Sequence, residues 1–189
     1  MTKFILHGGN SDRKTIDNDK FFLEVANSAN KEKVNILCIY FARPEHRWDD
    51  SFQEDKLAFL NLEIGKSFDI EMASLDTGIF RTQINWADIV YIQGGRKGCL
   101  KEKLLELENF QELIQNKVVV GISAGANILA KYYYSNVANE IREGLGVLPI
   151  KTFCHYNEEN ALEIEKLESY KEKLPICRIP EEKYMIFEI

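Results

Sequence analysis

The chain has 189 residues, 45% of them apolar, which suits one domain with a substantial core. Its net charge is −6 and it carries no basic block, which argues against nucleic acid as a partner. No stretch approaches the roughly 20 apolar residues needed to cross a bilayer, and residues 1–7 are too short and too soon polar for a signal peptide. No membrane partner and a cytoplasmic location are therefore expected. The four cysteines are widely spaced without a C-x-x-C pair, so reduced, packed thiols are expected. Three histidines without clustered ligand spacing predict no metal site, and no cofactor is expected.

Strand-like and helix-like segments alternate along the chain. Residues 3–7 read as a strand that ends in Gly8-Gly9-Asn10. A helix is predicted over 18–30, then a nearly continuous apolar run over 34–41, the mark of a strand buried on both faces. Ser51-Phe52-Gln53-Glu54 has a capping-box pattern and predicts a helix start, with Phe52, Phe59, Leu60 and Ile64 facing the core. Strands follow at 70–75 and 88–93, the second ending in Gly94-Gly95. A helix from about Leu100 leads to the run Val118-Val119-Val120. Beyond it come a helix over 126–131, a strand at 150–154, a helix over about 159–173 and a last strand at 184–189. In the late helix the glutamates form the solvated face, and Ile164, Leu167 and Tyr170 the buried stripe. This order predicts the α/β class: a doubly wound, mainly parallel sheet with helices on both faces. Without repeats, low-complexity tracts or linkers, residues 1–189 are expected to form a single domain. Ligands in such sheets bind outside the C-terminal strand ends, where the glycine turns should border one crevice.

Gly121-Ile122-Ser123-Ala124-Gly125 carries the most specific signal. It is the G-x-S-x-G pattern between a β-branched run and a helix, the context in which a serine hydroxyl is held out at a sharp bend. The Ala124 amide would then stand at a helix N-terminus, able to donate to a developing oxyanion. A serine needs a base at neutral pH, and imidazole is the usual one. Of His7, His46 and His155, only His155 follows a strand downstream of the serine, so it is the expected base. Gly94-Gly95 is a second candidate oxyanion element, because glycine lets backbone N–H groups approach a ligand. Asn127 reads as a surface or capping residue, and Cys99 as a weaker candidate thiol near the same crevice.

Gly121-Ile122-Ser123-Ala124-Gly125-Ala126-Asn127, preceded by Gly94-Gly95 and followed by His155, resembles the peptidase E family of serine peptidases. That family includes aspartyl dipeptidase and cyanophycinase, on a fold like class I glutamine amidotransferases. Ile39-Tyr40-Phe41-Ala42 with Trp48-Asp49-Asp50 is similar to its second strand and loop, and Arg178-Ile179-Pro180-Glu181-Glu182 resembles its Leu-Pro-Glu-Gly turn. The resemblance implies Ser123 as nucleophile, His155 as general base, and the Gly95 and Ala124 amides as oxyanion hole, with acyl-enzyme chemistry on small peptides. It also implies an acidic third member between serine and histidine. Residues 131–139 hold no carboxylate, so Glu140 is the expected orienting acid, Glu143 the substitute, and an absent third member the remaining alternative. Arg96 stands where the family usually has asparagine. Residues 156–173 contain no arginine to receive an acidic side chain, so aspartyl specificity is not carried over. Two other readings stay open: a catalytically silent member acting as a binding or regulatory protein, and a non-peptide acyl hydrolase. Assembly as a homodimer is likewise left open.

Overall fold

The computed structural model describes residues 1–96 and 99–189. Its elements in chain order are β1 (Lys3–His7), α1 (Ile16–Ser28), β2 (Lys33–Ile39), α2 (Trp48–Leu60), β3 (Ser67–Met72), α3 (Thr77–Trp86), β4 (Ile89–Ile92), α4 (Leu100–Leu105) and α5 (Phe110–Leu113). They continue with β5 (Val118–Ile122), α6 (Ala124–Leu129), β6 (Ala130–Ser135), β7 (Glu140–Glu143), β8 (Leu148–Cys154), α7 (Ala161–Ser169), β9 (Ile176–Ile179) and β10 (Tyr184–Glu188).

The strands form two sheets. The larger has the order β10-β1-β5-β4-β2-β3, with only β10 antiparallel. Its central strands are buried on both faces, and alternation divides their side chains between two layers. Phe4, Leu6, Leu37, Ile39, Val90, Ile92 and Val119 pack with Phe80, Ile84, Leu104 and Phe110. Ile5, Ile36, Cys38, Ile89, Tyr91 and Val120 pack with Phe21, Phe22, Val25 and Phe59. Helices cover both faces, as a mostly parallel sheet requires. The register brings three strand ends level. His7 pairs with Ile122, and Ile92 with Gly121, so the loops after β1, β4 and β5 emerge side by side at one edge.

The smaller sheet, β7-β6-β8-β9, is separate from the first, whereas the sequence pattern predicts a single sheet. The expected helix over 126–131 stops at Leu129, because Ala130 is already extended and the chain enters β6 without a connection. The run Ala-Lys-Tyr-Tyr-Tyr-Ser then alternates inward and outward, as tyrosine-rich strands favour. Lys151 lies within β8 with its side chain fully buried. Its Nζ donates to the carbonyls of Leu167, Glu168 and Tyr170 at 2.8, 3.0 and 2.7 Å, which satisfies the C-terminal end of α7 and locks that helix to the strand. The capping box expected at Ser51 does not form. α2 starts three residues earlier, and the Ser51 hydroxyl accepts from Arg43 Nη1 at 2.6 Å.

Candidate active site

The bend after β5 is as tight as the glycine pattern implies. A Cβ on Gly125 would lie 2.1 Å from the Ile92 carbonyl oxygen, and one on Gly121 would lie 2.6 Å from the Gly125 oxygen. Only glycine allows α6 to turn this closely against β4 and β5. Ser123 sits at the apex with φ 50° and ψ −107°, a conformation that stores strain of about 1–3 kcal/mol in a non-glycine residue. Its N–H is anchored to the His7 carbonyl at 2.9 Å, and its carbonyl accepts the Asn127 N–H at 2.9 Å.

Ser123 Oγ lies 2.8 Å from His155 Nε2, and His155 Nδ1 lies 3.0 Å from Glu181 Oε1. A carboxylate on Nδ1 places the ring proton there and leaves the Nε2 lone pair to accept from the serine hydroxyl. The imidazole hydrogen bond holds the Glu181 carboxyl below the usual carboxylate range. The His155 and Arg13 charges and a hydrogen bond from Asn10 add to this, while partial burial opposes it. Arg13 Nη1 also bridges Glu181 and Glu182 at 3.1 and 3.2 Å.

The expected acid was misplaced. Glu140 opens β7, where it pairs across the ladder with Ser135 and accepts from Arg142 Nε at 2.7 Å. Glu143 is taken by Lys171. β6 stands between β7 and β8, so Glu140 occupies a strand roughly 10 Å from the one that His155 directly follows. β9 is the direct neighbour of β8, with Cys154 level with Ile179, and the turn leaving it delivers Glu181. The sequence did carry a signal, the Pro-Glu pair matched to the family's Leu-Pro-Glu-Gly turn. That pair lies beyond His155, outside the serine-to-histidine interval in which the resemblance implies the acid.

The Gly8-Gly9 loop organises the arrangement. Gly8 O accepts from His155 N at 3.0 Å, Gly9 O accepts from Glu182 N at 3.0 Å, and Gly8 N donates to Lys183 O at 2.9 Å. Gly9 lies against the imidazole: a Cβ there, at φ +125°, would come 2.2 Å from His155 Cε1. Beneath the loop His7 is fully buried, with Nδ1 accepting from Gly9 N at 3.1 Å and Nε2 facing Asn18 Oδ1 at 3.0 Å. Burial lowers its pKa to about 4, so the ring is neutral and fixed in one tautomer. His46 lies exposed in a 3₁₀ turn, which leaves His155 as the histidine at the serine.

Asn127, read from sequence as a surface or capping residue, is buried and accepts from Thr152 Oγ1 at 2.9 Å, tying α6 to β8. Asn136 donates to the Cys154 carbonyl at 3.0 Å and steadies the end of β8. Gly94 borders the serine, since a Cβ there would lie 3.0 Å from Ser123 Cβ. Among the described residues, neither the Gly95 nor the Ala124 amide N–H has an acceptor in the protein. All four cysteines are free, and the described residues hold no cluster with metal-ligand character. No described helix is long and apolar enough to cross a membrane.

A parallel α/β sheet with a serine at a strained strand–helix bend, a histidine on it and a carboxylate behind the histidine is the architecture of an acyl-transfer hydrolase. Residues 4–188 match the model of peptidase family S51. The chain belongs to that family and is a peptidase of the serine class. Its fold is similar to that of a peptidase from an acI-B1 Actinobacterium, with a TM-score of 0.68 at 19% identity over 99% of this chain and 83% of that one. It is also similar to a putative peptidase E protein from Listeria monocytogenes EGD-e, with a TM-score of 0.63 at 17% identity over 100% and 99% of the two chains. No curated protein matches the sequence.

Proposed function

We propose that the chain hydrolyses small peptides through an acyl-enzyme on Ser123. The observation that carries this reading is the continuous line of hydrogen bonds from Ser123 Oγ through His155 to Glu181. In the first step His155 Nε2 takes the hydroxyl proton as Ser123 Oγ attacks the peptide carbonyl. Negative charge collects on the carbonyl oxygen, and the Gly95 and Ala124 N–H groups are the donors for it. Glu181 stabilises the imidazolium and keeps its proton on Nδ1. The imidazolium then gives the Nε2 proton to the leaving amine, an acyl-enzyme remains, and a water activated by the same nitrogen releases the acid. Small peptides as the substrate class follow from the family rather than from a pocket in this chain. The carboxylate at His155 favours turnover over a silent binding role.

A fluorophosphonate probe tests the nucleophile. The wild type should be labelled covalently and Ser123→Ala should not. Labelling that persists in Ser123→Ala would overturn the assignment. A dipeptide panel scored by released amino acid, run beside p-nitrophenyl esters, then separates peptidase from esterase activity.

A further inference from the structure

Behind the Gly94-Gly95 loop lies a buried polar cluster that the acyl-transfer chemistry does not use. Arg43, just past β2, donates from Nε to the Gly94 carbonyl at 2.9 Å, from Nη1 to Ser51 Oγ at 2.6 Å, and from Nη2 to Gln93 Oε1 at 3.3 Å. Gln93 donates from Nε2 to both oxygens of buried Asp55 at 3.0 Å each, and its Oε1 also accepts the Gly94 N–H at 3.0 Å. Asp55 is held in turn by the hydroxyls of Tyr40 at 2.7 Å and Tyr91 at 3.3 Å. An ionised carboxylate only accepts hydrogen bonds, so Asp55 decides which end of the Gln93 amide faces it. The Gln93 carbonyl is thereby turned toward Gly94 and Arg43.

The strand order gives this cluster a direction. β4 lies between β2 and β5, so Gly94 leaves its strand with Arg43 on the β2 side and Ser123 on the β5 side. In a trans peptide the C=O and the following N–H point opposite ways. Arg43 draws the Gly94 carbonyl toward β2, an arrangement that would direct the Gly95 N–H to the opposite, serine side. The reversed peptide would aim a carbonyl oxygen at the place where negative charge develops.

We infer that Arg43 is a positioning residue that sets the Gly94–Gly95 peptide in its oxyanion-binding orientation, with Gln93 and Asp55 fixing the guanidinium and the loop together. The inference rests on the reading of Ser123 as nucleophile and of the Gly95 N–H as an oxyanion donor. Lysine at position 43 would keep the charge, but a single ammonium lacks the planar fork that spans three acceptors, two at the Gly94 turn and one on α2.

The test is the inactivation kinetics of an alkyl fluorophosphonate, whose phosphonyl oxygen occupies the oxyanion position. Arg43→Ala and Arg43→Lys should each lower kinact by about 100-fold, the loss typical of one oxyanion donor. KI should stay within about threefold, because the defect lies in the transition state and not in probe binding. Arg43→Lys carries the test if Arg43→Ala does not fold. Wild-type kinact in folded Arg43→Lys, or a loss carried by KI, overturns the inference and leaves the nucleophile reading intact. An unreactive wild type, or labelling that survives Ser123→Ala, overturns both.

Discussion

Gly9→Ala should disable the site while leaving the fold standing. The added Cβ would lie 2.2 Å from His155 Cε1, 2.6 Å from Nε2 and 2.9 Å from Nδ1. Ordinary contact begins near 3.4 Å, so the ring would have to retreat by the difference between 3.4 and 2.2 Å, about 1.2 Å. It has little freedom to do so, because its backbone N–H is bound to Gly8 O and its Nδ1 to Glu181. The 2.8 Å contact with Ser123 is the one that must open. A misplacement of about 1 Å typically lowers the rate by about 100-fold, and that is the expected loss in the second-order rate of fluorophosphonate labelling. The backbone adds a separate term. At φ +125° an alanine is strained by about 1–3 kcal/mol, which in a chain of this size lowers Tm by a few degrees to about 10 °C. Labelling and thermal unfolding should be measured on the same sample. A folded Gly9→Ala that reacts at the wild-type rate would refute the contact between loop and imidazole, and with it the role given to Gly9.

The carboxylate assignment separates two residues. Glu181→Gln should lower turnover by about 100- to 1,000-fold, somewhat less than removal of the acid from a fully buried triad, since the Glu181 side chain is 41% exposed. Glu140→Gln should leave turnover unchanged; the reverse pattern in peptide or ester hydrolysis would restore Glu140. The pH dependence of stability should report His7. Its folded pKa, lowered to about 4 from 6.5, means that the unfolded chain binds the extra proton between those values. Stability from the neutral ring is therefore complete above pH 6.5 and falls as the pH drops toward 4, by about 3 kcal/mol in all. Urea unfolding at pH 7 and pH 4 should show a decline smaller by that amount in His7→Gln, and an identical decline would show that His7 is not held neutral.

Much of this molecule is written locally. The bend at Ser123 needs only a β-branched strand, two glycines that tolerate close backbone approach and a short helix, all within residues 118–129, and so it is legible in sequence. So are the core strands, whose unbroken apolar runs admit burial on both faces and little else. The partners of that serine are another matter. Glu181 is one of many glutamates, and the Pro-Glu pair that marks its turn does not by itself say which histidine it meets. What selects it is the pairing of β9 beside β8 and the placement of β6 between β8 and β7. Likewise His7 reads as the end of a strand, and Gly9 as an ordinary turn, until Asn18 and His155 close on them from distant parts of the chain. Local sequence can specify a dihedral angle or a buried face, because those depend on neighbours a few residues apart. The meeting of an acid with an imidazole 26 positions away depends on which strands lie side by side, and the tertiary structure decides that.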